Sequence, residues 1–142
     1  MTRRSLFLKL LTVALVPAGS GCSSDSDLPL EAPPPALRLL SATPSNGSVL
    51  PGSALVHARL HYRLNTDNPG HITVATLCVK EGRPACFDYG SVADLPDREG
   101  DIDVAFSVRP PSEANIHVTL RLTAEGFHAP RDAVVLTYHT AN

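Results

Sequence analysis

The residues of this 142-residue chain best suited to chemistry are its six histidines, three cysteines and a crowd of carboxylates. Asp94, Asp97, Glu99, Asp101 and Asp103 fall close together. A loop that dense in carboxylates could hold calcium, which takes six or more oxygen ligands. The spacing matches no EF-hand loop, so a solvated acidic connection is the competing expectation. His117 and His139 point to zinc or copper. If a turn at 126–130 joins the last two strands, positions summing to about 256 face each other, and the two imidazoles meet across strands at ~5 Å. A third ligand is required, and the pattern supplies none. His57 and His61 stand four residues apart, roughly 13 Å along a strand, too far to share an ion unaided. Nucleophilic or phosphate chemistry has no foothold. There is no nucleophile elbow, no Gly-rich phosphate loop and no His-Glu-x-x-His. The chain is therefore expected not to be an enzyme and to need no cofactor; a hydrolase site assembled from distant loops is the remote alternative.

These side chains must be positioned by strands. Ala54, Val56, Ala58, Leu60, Tyr62 and Leu64 alternate with His57, Arg59, His61 and Arg63. Ile102, Val104, Phe106 and Val108 alternate with Asp101, Asp103, Ala105 and Ser107, and Ile116, Val118, Leu120 and Leu122 with His117, Thr119, Arg121 and Thr123. A period of two marks half-buried antiparallel strands. Val134, Leu136 and Tyr138 close the series, and weaker strands are expected over 37–42, 72–79 and 85–89. Turn formers separate the runs: Asn46-Gly47, Pro51-Gly52, Asn68-Pro69-Gly70, Glu99-Gly100, Pro110-Pro111 and the stretch 126–130. Seven short strands in about 105 residues, with no sustained 3.6-residue period, predict an all-β antiparallel sandwich over 37–142. Cys78 and Cys86 flank a further stretch, 79–85, that reads as two strands around a turn. Facing positions on a hairpin come within disulfide reach, and closing so short a loop is worth about 2.5 kcal/mol. A redox or zinc CxxC is excluded by the spacing.

That pairing leaves Cys22 alone, and its neighbourhood differs from the rest of the chain. Arg3, Arg4 and Lys9 are the only charges in residues 1–21; an apolar run follows them, then Pro17-Ala18-Gly19-Ser20-Gly21. Basic, apolar and small in that order is an export signal. The apolar stretch 6–16 is interrupted by Lys9 and falls short of the ~20 residues of a membrane span. Ser20-Gly21-Cys22 resembles the bacterial lipoprotein signal, although Gly19 stands where Leu is usual. The resemblance implies that Cys22 receives diacylglycerol and, with further acyl chains such as palmitate, anchors the chain to a membrane. Ordinary cleavage after Ser20 is the alternative. Thr2-Arg3-Arg4-Ser5-Leu6-Phe7 also resembles the twin-arginine export signal, and the general secretory route stands beside it. Residues 22–36, rich in Ser, Asp and Pro, read as an extended tether reaching up to ~40 Å. Ser23 after the acylated Cys resembles the pattern sorted to the outer membrane.

Residues 1–21 hold three of the 12 Lys+Arg and none of the 14 Asp+Glu, so the remainder carries a net charge of −5. A nucleic-acid partner needs a basic face, and none is expected. The stretch 42–51 followed by a long alternating strand resembles the entry into bacterial immunoglobulin-like domains, a resemblance spread over most of 37–140. It lacks the core Trp and inter-sheet Cys pair of antibody domains, and a transthyretin-like or fibronectin-like sandwich shares the strand count. What it implies is a non-catalytic binding or structural module for a protein or glycan partner. A small lipoprotein binding zinc, copper or calcium is the alternative.

Overall fold

Among the described residues eight strands form two β-sheets. They are β1 (Ala36–Thr43), β2 (Val49–Leu50), β3 (Ala54–Arg63), β4 (Gly70–Lys80), β5 (Arg83–Asp94), β6 (Glu99–Val108), β7 (Asn115–Ala124) and β8 (Asp132–Thr140). The computed structural model describes residues 31–142. Cys22, the expected export signal over 1–21 and most of the expected tether over 22–36 lie outside them. Strands β1-β3-β6 form one sheet and β2-β8-β7-β4-β5 the other, with every pairing antiparallel except β2 with β8. The all-β sandwich expected from period-two alternation is present, with one strand more than the seven expected.

The alternating residues face as their pattern dictates. Val56, Ala58, Leu60 and Tyr62 of β3, Val104, Phe106 and Val108 of β6, and Ile116, Val118, Leu120 and Leu122 of β7 are all buried in a single core with Leu136 and Tyr138 of β8. The tyrosines need partners for their hydroxyls. Burial raises the pKa of Tyr138 above its ordinary value, and its protonated hydroxyl donates to the Pro44 carbonyl at 2.9 Å. That bond ties the last strand to the segment between β1 and β2.

Strand β2 escaped the sequence because two residues display no period. It exists through its neighbours. The Gly47 amide donates to the Thr137 carbonyl at 2.8 Å, and Asn46 Oδ1 accepts from the Thr137 amide at 2.7 Å. Asn46-Gly47 is thus the turn foreseen, and it also docks β2 onto β8. Strand β5 runs well beyond 85–89, since Gly90, Ser91 and Ala93 pair with β4 without displaying a pattern; an irregularity in register falls between Ile72 and Thr73.

Candidate functional site

The β4–β5 hairpin supplies the first functional geometry. Lys80 faces Arg83 across the two-residue turn Glu81-Gly82, whose φ angles are 50° and 71°. Positive φ at both central positions is the turn that matches the twist of a hairpin. From the turn Lys80 pairs with Arg83 and Val79 with Pro84; a register shift between Cys78 and Val79 then skips Ala85 and brings Cys78 opposite Cys86, and the two form a disulfide with a Cα–Cα separation of 4.8 Å. Cys78 is fully buried and Cys86 packs against the same core.

Beyond Cys86 the sandwich opens. Strand β5 is the last of a five-stranded sheet and β6 the last of a three-stranded one, so the inward side of β5 has little beneath it. A cleft of about 490 Å³ lies between the two strands, floored by Val74, Cys86, Phe106 and Val108 and rimmed by Asp88 and Arg109. Its size falls in the range of sites that hold small ligands or single anchoring side chains. Gly90 borders it, and a Cβ added there would meet no atom within 4 Å. Phe87 and Tyr89 also line the cleft, and on the outward face of β5, in alternation with Cys86, Asp88 and Gly90, they are 72% and 56% exposed. Val135 of β8 and Val49 of β2 add exposed apolar groups to that outer face. Few surface positions combine such exposure with such size, and single exposed apolar residues alone would need no explanation.

The outer face of the three-stranded sheet is the reverse case. Arg59, His61 and Arg63 of β3 stand opposite Asp103, Asp101 and Glu99 of β6. His61 Nδ1 lies 2.7 Å from Asp101 Oδ1 and its Nε2 lies 3.4 Å from Glu99 Oε1. Arg63 Nε donates to Glu99 at 3.3 Å, and the Arg59 guanidinium lies 3.6 Å from Asp101. The hydrogen bond from His61 holds the Asp101 carboxyl below its ordinary pKa, helped by the charges of His61 and Arg59. The expected acidic loop is therefore in large part a strand. Only Asp97 lies between the strands, Asp94 ends β5, and the other three carboxylates lie on β6 facing bases. The alternation that begins at Ile102 extends back to Glu99 because each outward carboxylate meets a base across the ladder.

The histidine pair is corrected as well. His117 faces Thr137, and His139 faces Asn115. The two imidazoles share a face only as diagonal neighbours, about 7–8 Å apart at the backbone. A shift of two residues keeps every side chain on its own face, so the apolar pattern cannot choose between these registers. The turn chooses. Gly126 takes a φ of 81° and the Phe127 amide bonds back to Ala124. The chain therefore reverses earlier than a turn centred in 126–130 would place it. Among the described residues no group of three or more His, Cys, Asp or Glu could hold a metal ion. His57 and His61 lie on the outward face of β3, as their spacing implied.

The open side is a recess between two edge strands. Its cleft offers an apolar floor and a rim of opposite charges. Among the described residues the hydroxyl hydrogen bonds run to backbone, to Asn46 or to another hydroxyl, none to an imidazole that would activate a nucleophile. Sequence reasoning missed Phe87, Tyr89 and the cleft. The signal available was the weak alternation in 85–93, where the residues that pack against the core, Cys86, Val92 and Ala93, follow no steady period.

No family model matches the chain, and no curated protein matches it either. Among solved structures it is similar to the sporulation control protein Spo0M from Bacillus subtilis, at 11% identity and a TM-score of 0.40, over 77% of this chain and 49% of that one. It is also similar to a beta-galactosidase candidate from Bacteroides fragilis, at 18% identity and a TM-score of 0.39, over 72% of this chain and 16% of that one. The chain thus spans about half of the first protein and a small part of the second. Likenesses this distant say nothing about activity or partners.

Proposed function

We propose that the chain is an envelope-anchored lipoprotein acting as a non-catalytic binding module, and that it engages its partner through the open side at β5. The observation that carries the reading is the exposure of Phe87 and Tyr89 on an edge strand whose inward side borders an unfilled cleft. Aromatic anchors beside a pocket are what binding hot spots are made of. The outer face of the three-stranded sheet exposes Leu40 and Leu55 among its cross-strand ion pairs but no aromatic side chain. Export and anchoring rest on the sequence of residues 1–22, with Cys22 as the lipid-bearing residue and the Pro-rich tether as the spacer. Finer still, β3 and β6 in one sheet with β8, β7 and β4 in the other correspond to strands B–E and G–F–C of an immunoglobulin-like domain, which supports that assignment.

The test compares the two faces. Chain bearing Phe87→Ser and Tyr89→Ser together should lose at least tenfold in binding to solubilised cell envelope, measured on an immobilised surface. Leu40→Ser, on the edge of the other sheet, should bind as the parent does. Equal binding by all three proteins refutes the assignment of the site.

A further inference from the structure

We infer that the gap beside β6 is a strand-docking site, taking an extended polypeptide segment of a partner whose alternate side chains are apolar and basic. The inference rests on the binding-module reading and names the chemistry of the occupant. The two sheets are unequal, three strands against five, and the open position lies next to β6 and under β5. Among the described residues strand β6 pairs along one side only, with β3. Its free side presents backbone donors and acceptors in alternation at strand spacing, and the ligand that matches such a row is another extended backbone. A glycan offers no such repeat.

Side-chain chemistry then follows from the two faces of the open position. Toward the core an added strand meets the cleft, about 490 Å³ between Val74, Cys86, Phe106 and Val108, and Gly90 leaves the space above it open. Apolar residues of moderate size fit there. Toward solvent the added strand runs beside Glu99, Asp101 and Asp103, which lie on the outward face of β6. Arg59 faces Asp103 in register but places its guanidinium 3.6 Å from Asp101, and Asp103 makes no ion pair among the described residues. Opposite charges on neighbouring strands attract and like charges directly opposite repel. Lysine or arginine is therefore favoured at the outward positions and glutamate disfavoured. The same rule argues against β6 of a second copy, which would bring these carboxylates together. Residues 23–35 of this chain, acidic and rich in Pro, have the wrong composition.

The probe is the blocked peptide acetyl-(Lys-Val)4-amide, added to the full chain while backbone amide exchange is followed by NMR. Exchange of the edge-facing amides within 104–108 should slow at least tenfold. A counterpart methylated on its backbone nitrogens should give no protection, and acetyl-(Glu-Val)4-amide should bind at least tenfold more weakly. A Cβ added at Gly90 meets no atom within 4 Å, so Gly90→Leu places an apolar side chain at the edge of the cleft; it should weaken the lysine peptide at least tenfold while leaving the melting temperature unchanged or higher. Unchanged exchange in β6, equal binding of the methylated peptide, or full binding by Gly90→Leu each overturns strand docking. If strand docking fails while Phe87→Ser with Tyr89→Ser still abolishes envelope binding, the partner is of another class and the site stands. If both fail, the binding side is misassigned.

Discussion

Asp101 shows what a carboxylate on an outward strand position does when bases stand around it. The hydrogen bond from His61 lowers its pKa below the ordinary carboxylate value. A depressed folded-state pKa means that the contribution to stability is present above the unfolded value, about pH 4, and is lost as pH falls through the lower folded value. Below about pH 4 the protein should therefore lose stability partly through Asp101. Asp101→Asn should flatten that acid limb in melting experiments run from pH 5 to pH 2; an unchanged limb would show that the contact with His61 does not matter in solution. At this scale the closeness of Cys78 and Cys86 on one hairpin was legible, although the register irregularity beside Cys78 that brings them opposite each other was not. It misled for His117 and His139, because their facing depended on where one loop reverses, and a shift of two leaves the apolar pattern intact.

Elements were legible in proportion to their burial. Strands β3, β6 and β7 each bury one face, and their alternation announced them. Strand β5 buries neither face well, so its pattern is weak although its pairing with β4 is long. Strand β2 is too short to have a period at all. The β4–β5 hairpin carries two predictions. Glu81 holds a φ of 50°, a conformation that Asn adopts more readily than Glu. Glu81→Asn should stabilise the protein by about 0.5–1 kcal/mol, seen as a higher midpoint in urea. Replacing Cys78 and Cys86 by Ala together should cost about 2.5 kcal/mol, the loop-closure value for so short a ring. The same loss should appear on reduction of the parent, and the double variant should then be indifferent to reductant. A midpoint that does not move in either case would mean that the edge strand is held by its ladder alone.

Across the whole molecule the two outer faces differ in kind. One carries interleaved bases and carboxylates between β3 and β6, and the other bears Phe87, Tyr89, Val135 and Val49. Composition and net charge foretold neither, because both depend on which strands become neighbours in space. The cleft was equally hidden, since unequal strand numbers in the two sheets are a property of topology and not of any segment. The proposed anchor is the opposite case, resting on the sequence of residues 1–22 alone. Cys22→Ser should move the protein from the membrane fraction to the soluble envelope fraction, and retention of this variant on the membrane after signal cleavage would exclude the lipid anchor.

The central claim is that a tethered module binds through its open β5 side, and photo-cross-linking in intact cells tests it most directly. A photoreactive residue in place of Tyr89 should trap a discrete envelope component, and one in place of Leu40 should trap none. Equal trapping from both positions, or none from position 89, would contradict the account.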